Sequence, residues 1–124
     1  MSRFLVVDDE PDLRSYIADE LSDDGHQVDT AADGVEAVMR VIDGGIDAVV
    51  MDIRMPRLDG LNALRILRRL SPSLPVVMFT GQAGQGDMLE TTRLGAITCL
   101  LKPVNIDRLK EILVQSVNRK KIPA

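Results

Sequence analysis

The sequence predicts a single α/β domain in which a parallel sheet is wound on both faces by helices. Two features of its 124 residues lead there. Five short β-branched or apolar runs alternate strictly with five helical patterns, which implies parallel strands joined by right-handed crossovers. Three of those runs are apolar almost without a break, as expected of strands covered on both sides. No repeat, low-complexity tract or internal linker interrupts the order.

The first run is RFLVV (3–7). Pro11 then opens a helix whose Leu13, Tyr16, Ile17 and Leu21 recur at i, i+3, i+4 and i+8. QVDTA (27–31) is weaker and alternates, which suits an edge strand. Val35, Val38, Met39 and Ile42 repeat the helical stripe, which stops at Gly44-Gly45. IDAVVM (46–51) is the third strand; the helix after it carries Leu61, Leu64, Leu67 and Leu70 and ends at Ser71-Pro72. PVVMF (75–79) is the fourth strand. The next helix, over roughly 86–94, is polar and flanked by glycines, and GQAGQGD (81–87) is expected to give it a mobile start. ITCLL (97–101) is the fifth strand, and Asn105 caps a last helix running through Ile106, Leu109, Leu113 and Val117. The closing NRKKIPA reads either as a helix end whose basic residues complement the dipole or as the start of a linker. The domain is therefore placed at 1–119, with 120–124 a tail or linker start.

Composition narrows the function classes. Apolar residues make up 45% and charged residues 27%, an ordinary balance for a globular protein. Phe4, Tyr16 and Phe79 are the only aromatic residues, so aliphatic side chains must fill the core. A net charge of −4 argues against direct binding to nucleic acid or to an anionic membrane surface. Cys99 and His26 are each the only residue of their kind, which excludes an intramolecular disulfide and multi-cysteine or multi-histidine metal sites. The start of the chain lacks the pattern of a signal peptide, and no apolar run approaches a membrane span, so a cytoplasmic location is expected.

In open α/β sheets ligands bind beyond the carboxyl ends of the strands. The first strand is followed there by Asp8, Asp9 and Glu10, the third by Asp52, the fourth by Thr80 and Gly81, and the fifth by Lys102 and Pro103. The second offers only Ala32, Asp33 and Gly34, an ordinary helix cap. Carboxylates on neighbouring strands raise one another's pKa unless a cation shares the site. All-oxygen donors with room for water suit Mg²⁺. With Lys102 and the Thr80 hydroxyl, the set forms a place for a phosphoryl group. Asp52, alone at the centre, is the better nucleophile; the paired Asp8 and Asp9 are the better metal holders.

FLVVDDEP, VVMDIRMPRLDG, VVMFTG and GAITCLLKP together resemble the receiver domains of bacterial two-component response regulators, the chemotaxis-regulator-like fold. The likeness runs over essentially the whole chain, with the four motifs in order at family-like spacings. It implies a five-stranded sheet of order 2-1-3-4-5 and a phosphorylation-controlled signalling switch. Asp52 resembles the aspartate that takes a phosphoryl group from a histidine kinase or phosphotransfer protein. Asp9 and Asp52 resemble direct Mg²⁺ ligands, the backbone carbonyl of Arg54 a third, and Asp8 a ligand acting largely through water. Lys102 resembles the lysine that binds a phosphoryl oxygen, followed by Pro103 in what is usually a cis peptide. Thr80 resembles the switch hydroxyl, with Gly81 the small residue after it. Met55-Pro56 and Asp59-Gly60 match the loop into the third helix. Output is then expected through the face of the fourth helix, fifth strand and fifth helix, toward an effector protein or an appended domain, from a monomer or weak dimer. One position departs: where the family usually has Tyr or Phe, three residues before the lysine, this chain has Cys99. A ring-rotation coupling lacks its ring here, and the output face is expected to respond through backbone rearrangement.

Blander readings stand beside these. Glu10 reads as a first-turn helix acid, Cys99 as a small buried hydrophobe, His26 as an exposed turn residue, and Arg65, Arg68 and Arg69 as a solvated helix face. Arg54 and Gln82 flank the pocket, where by resemblance such residues tune dephosphorylation. The competing functions are three. A Mg²⁺-dependent aspartyl-phosphate phosphohydrolase of the haloacid dehalogenase type would place its nucleophile in a D-x-D after the first strand, and VVDDEP lacks that spacing. A flavodoxin-like cofactor binder needs a phosphate-cradling loop where this chain has carboxylates. A bare docking module would not need the acidic pocket.

Overall fold

The computed structural model describes residues 2–81 and 85–121. Among them, strands and helices alternate as β1 (Arg3–Val7), α1 (Pro11–Asp23), β2 (Gln27–Ala31), α2 (Gly34–Ile42), β3 (Ala48–Asp52), α3 (Gly60–Leu70), β4 (Val76–Thr80), α4 (Gln85–Arg93), β5 (Thr98–Leu101) and α5 (Ile106–Lys121). All pairings are parallel and the order is β2-β1-β3-β4-β5, as expected, with QVDTA at an edge. Gln82, and with it the middle of GQAGQGD, lies outside the described residues, as do 122–124.

Alternation along the central strands divides the core into two layers. Leu5, Val7, Val49, Met51, Val76 and Met78 point to one face, where Ala37 of α2 and Ala63, Leu64 and Leu67 of α3 cover them. Phe4, Val6, Val50, Val77 and Phe79 point to the other, against Ile17 and Leu21 of α1 and Leu109, Leu113 and Val117 of α5. β3 and β4 are buried at every position, the arrangement their continuous apolar character requires.

Boundaries shift in a way that matters for the site. The ladder of β3 begins at Ala48 rather than 46 and ends at Asp52, which pairs with Phe79; β4 ends at Thr80, which pairs with Leu101. Asp52 and Thr80 are thus the last rungs of the sheet, held by its hydrogen bonds, rather than loop residues beyond it.

The stripe expected on α2 is corrected. Val35, Met39 and Ile42 are exposed; Val38 faces the core as expected, but beside Ala37 and Val41. The amide of Gly34 donates to the carbonyl of Leu58 at 3.1 Å, and a Cβ on Gly34 would overlap that carbonyl oxygen. This backbone-to-backbone approach sets the rotation of α2, leaving Ala37, Val38 and Val41 as its inward row. Tyr16 and Leu70, expected on buried stripes, are also about half exposed. Helix starts follow the expected chemistry: Asp33, Asp59 and Asn105 each accept a hydrogen bond from the backbone N–H three residues on.

Candidate functional site

The carboxyl ends of β1, β3, β4 and β5 converge on one pocket. Asp8 continues from β1, its amide bonded to the carbonyl of Ala31, and its side chain is fully buried. One of its oxygens accepts from the Glu10 amide at 2.7 Å. The other, Oδ2, has no hydrogen-bond partner and lies 3.3 Å from Lys102 Nζ. Asp52 is 4% exposed; its Oδ1 accepts from the Arg54 amide at 3.2 Å and its Oδ2 from Lys102 Nζ at 2.8 Å. Asp9 and Glu10 are at the exposed rim. Oxygen atoms from Asp8, Asp9, Glu10 and Asp52 lie within 4.8 Å of one another.

Lys102 sits among these carboxylates because its strand places it there. Its amide donates to the carbonyl of Thr80, the Lys102-Pro103 peptide is cis, and its ammonium stands 5.2 Å from the centre of the Phe79 ring. Thr80 is fully buried. A methyl group on Gly81 would meet Lys102 Cδ at 3.6 Å, an ordinary contact, so the pocket tolerates a small residue there.

Electrostatics keep Lys102 charged. Burial would lower its pKa, but hydrogen bonds to Asp52 and Glu10 and the charges of Asp52 and Asp8 outweigh this and hold it above the usual lysine range. Burial pushes the Asp8 carboxyl above its ordinary 3.8; the Glu10 amide and Lys102 work against this, and the charge of Asp52 adds to it. Three of the four clustered acids, Asp8, Glu10 and Asp52, thus share one lysine. An all-oxygen set with a buried Asp8 oxygen that accepts no hydrogen bond fits a hard divalent cation.

The loop from β3 to α3 is fixed from both sides. The Gly60 amide donates to the carbonyl of Ile53 at 2.7 Å, and a Cβ on Gly60 would overlap the carbonyl of Asp52. Arg57, in the left-handed region at φ 65°, pairs with the buried Asp33 at 2.6 Å. Burial raises the Asp33 carboxyl, but the Glu36 amide and Arg57 outweigh it and hold the group below 3.8. Beside the acids, Leu13, Tyr16, Pro103 and Val104 line a largely apolar cleft of about 470 Å³ that opens onto Glu10, Gly81 and Lys102.

Asp8, Asp9, Asp52, Thr80, Lys102 and the Arg54 backbone therefore meet at one place. Glu10 is corrected: its side chain makes no capping hydrogen bond to α1, and its Oε1 instead lies 2.9 Å from Lys102 Nζ, whose positive charge draws it to the pocket. His26 is half-buried, its Nδ1 accepting from the Ser2 amide and its ring 4.7 Å from that of Phe4. Arg68 leaves the solvated face to bond the carbonyls of Pro72 and Leu74. Cys99 is half-buried; burial pushes its thiol up, a hydrogen bond with Thr91 of α4 lowers it, and the charges of Asp87 and Asp52 raise it further. No local pattern signals the Arg54–Asp87 ion pair, 3.1 Å long, which joins residues 33 positions apart.

The chain matches the family model described as "Response regulator receiver domain" over residues 4–114. It is 42% identical over 107 residues to the transcriptional regulatory protein TcrA of Mycobacterium tuberculosis, covering 86% of this chain and 42% of that protein. It is 39% identical over 115 residues to the sensor histidine kinase RcsC of Salmonella typhi, covering 93% of this chain and 12% of that one. The chain thus spans less than half the length of either relative. Among solved structures, the receiver domain of NtrX from Brucella abortus superposes with a TM-score of 0.86 at 37% identity, covering 93% of this chain and 98% of that one. The family match takes in every pocket residue described above, and the chain belongs to the response regulator receiver domains: it is a phosphoacceptor regulatory module of two-component signalling rather than a phosphohydrolase.

Proposed function

We propose that Asp52 is the phosphoacceptor, taking a phosphoryl group from the phosphohistidine of a kinase or phosphotransfer protein. The observation that carries this is the buried Asp52 carboxylate, 2.8 Å from a lysine and next to an Asp8 oxygen without a hydrogen-bond partner. A carboxylate oxygen of Asp52 attacks phosphorus, the bond from phosphorus to the imidazole nitrogen breaks, and the imidazole leaves. Lys102 exchanges part of its hold on Asp52 for a phosphoryl oxygen. Asp9, Asp52 and the Arg54 carbonyl would hold Mg²⁺, with Asp8 acting largely through water; the ion would supply charge neutralisation at the phosphoryl oxygens. Thr80 is the switch hydroxyl, at the last rung of β4 beside Lys102.

The apolar cleft at Leu13, Tyr16, Pro103 and Val104 suits the flank of a donor helix, since it adjoins Lys102 without adding charge. Phosphorylation shifts a pre-existing equilibrium on the face of α4, β5 and α5, where Leu89, Ile97 and Leu101 are exposed for an effector or appended domain. A monomer or weak dimer in the cytoplasm fits this role, with the receiver taken to the end of α5 at Lys121 rather than to 119. Among the described residues no helix is long and apolar enough to cross a membrane.

Incubation with acetyl phosphate, followed by intact-mass measurement, tests the reading. A phosphoryl adduct that requires Mg²⁺ and is absent from Asp52→Asn is expected. An unmodified wild-type protein under every phosphodonor would sink it.

A further inference from the structure

The ring that would couple the phosphoacceptor pocket to the output face is missing, yet α4 is joined to the pocket by another route. Arg54 contributes its amide to Asp52 Oδ1 at 3.2 Å, while its guanidinium reaches the first turn of α4 and pairs with Asp87 at 3.1 Å. One residue therefore touches the acceptor with its backbone and the output helix with its side chain. One turn further along α4, Thr91 is fully buried and lies over Cys99 on β5. The later part of α4 is tied separately, with Glu90 pairing to Arg65 of α3 at 3.1 Å and to Arg93 at 2.9 Å.

We propose that Arg54 is the coupling residue of this chain: a phosphoryl group on Asp52 draws its guanidinium away from Asp87, and α4 then loosens where Thr91 covers Cys99. The inference rests on Asp52 being the phosphoacceptor. The exchange is favoured because the Arg54–Asp87 pair is solvent-facing and weak, with Arg54 65% exposed. A phosphoryl group carries nearly two negative charges and offers a guanidinium two parallel hydrogen bonds, against the single short contact with Asp87. The tether is short, since the Arg54 backbone already abuts Asp52. Glu90 stays with Arg65 of α3, so α4 keeps its hold on α3 while its sheet-facing side, at Thr91, loosens from Cys99. Cys99 and Thr91 are too small to relay a rotation, but they mark where α4 separates from the sheet.

Cys99 is the only cysteine, and that supplies the measurement. The rate of its reaction with N-ethylmaleimide is followed with Mg²⁺, with and without acetyl phosphate, while intact mass counts phosphoryl adducts in the same sample. Full pH profiles place the rates at matched thiolate fraction, which removes the direct effect of the Asp87 charge on the thiol. In the wild type the rate should rise severalfold with the adduct. Asp87→Asn should take the phosphoryl group as the wild type does, react fast already at rest and gain little on phosphorylation; Asp87→Glu should restore resting protection. Arg54→Met should likewise lose the difference between the two states. A wild-type adduct with an unchanged thiol rate, or an Asp87→Asn protein that keeps the full phosphorylation-dependent rise, overturns the coupling role alone. A wild-type chain that takes no phosphoryl group overturns the phosphoacceptor reading and this one with it.

Discussion

The ammonium of Lys102 lies 2.8 Å from Oδ2 of Asp52, 3.3 Å from Asp8 and 2.9 Å from Glu10, so one partly buried cation serves three carboxylates. In the proposed phosphoryl transfer to Asp52 it would meet the incoming phosphoryl oxygens. Lys102→Met is expected to slow phosphorylation of Asp52 on the order of a hundredfold, the cost of losing one preorganised partner for developing charge. A time course of the acetyl phosphate adduct by intact mass reads this, and an unaltered rate would remove Lys102 from the chemistry.

Gly60 decides where β3 ends. With a Cβ there overlapping the Asp52 carbonyl and 2.8 Å from Ile53 Cα, neither neighbour can yield, since both are backbone at the end of β3. Gly60→Ala should destabilise the fold by about 2 kcal/mol or more, read as a lower denaturation midpoint in urea. Gly81→Ala, which meets only an ordinary side-chain contact, should cost far less.

The Asp33–Arg57 pair makes a pH-dependent contribution whose sign is fixed. The Asp33 carboxyl is held below 3.8 in the folded protein, so its ionised form stabilises the fold above that pH. The contribution fades as pH falls through the folded value. Asp33→Asn keeps the helix cap and loses the ion pair. Relative to wild type it should be less stable by about 1 kcal/mol or less at neutral pH, because Arg57 is largely exposed. The gap should close in strong acid. Urea titrations of both proteins across pH would show it, and a gap that widened in acid would contradict the assignment.

Much of the fold was legible in the sequence alone. Periodicity located all ten elements, and strict alternation implied a parallel sheet, because those patterns arise from local geometry and chain chirality. The residues at the strand ends put Asp8, Asp9, Asp52, Thr80 and Lys102 on one edge, since ligands gather at the carboxyl ends of such sheets. The resemblance then supplied the strand order and the expected roles.

Packing decided the rest. α2 turned Val35, Met39 and Ile42 outward because Gly34 presses on Leu58, a contact between segments 24 residues apart that no stripe encodes. Glu10 became a pocket acid because Lys102 reaches it across 92 residues of sequence, and Arg54 found Asp87 across 33. The sequence by itself determined which residues stand at the ends of the strands. Only the tertiary structure decided which of them share a charge, because that depends on distances of a few ångströms between elements remote along the chain.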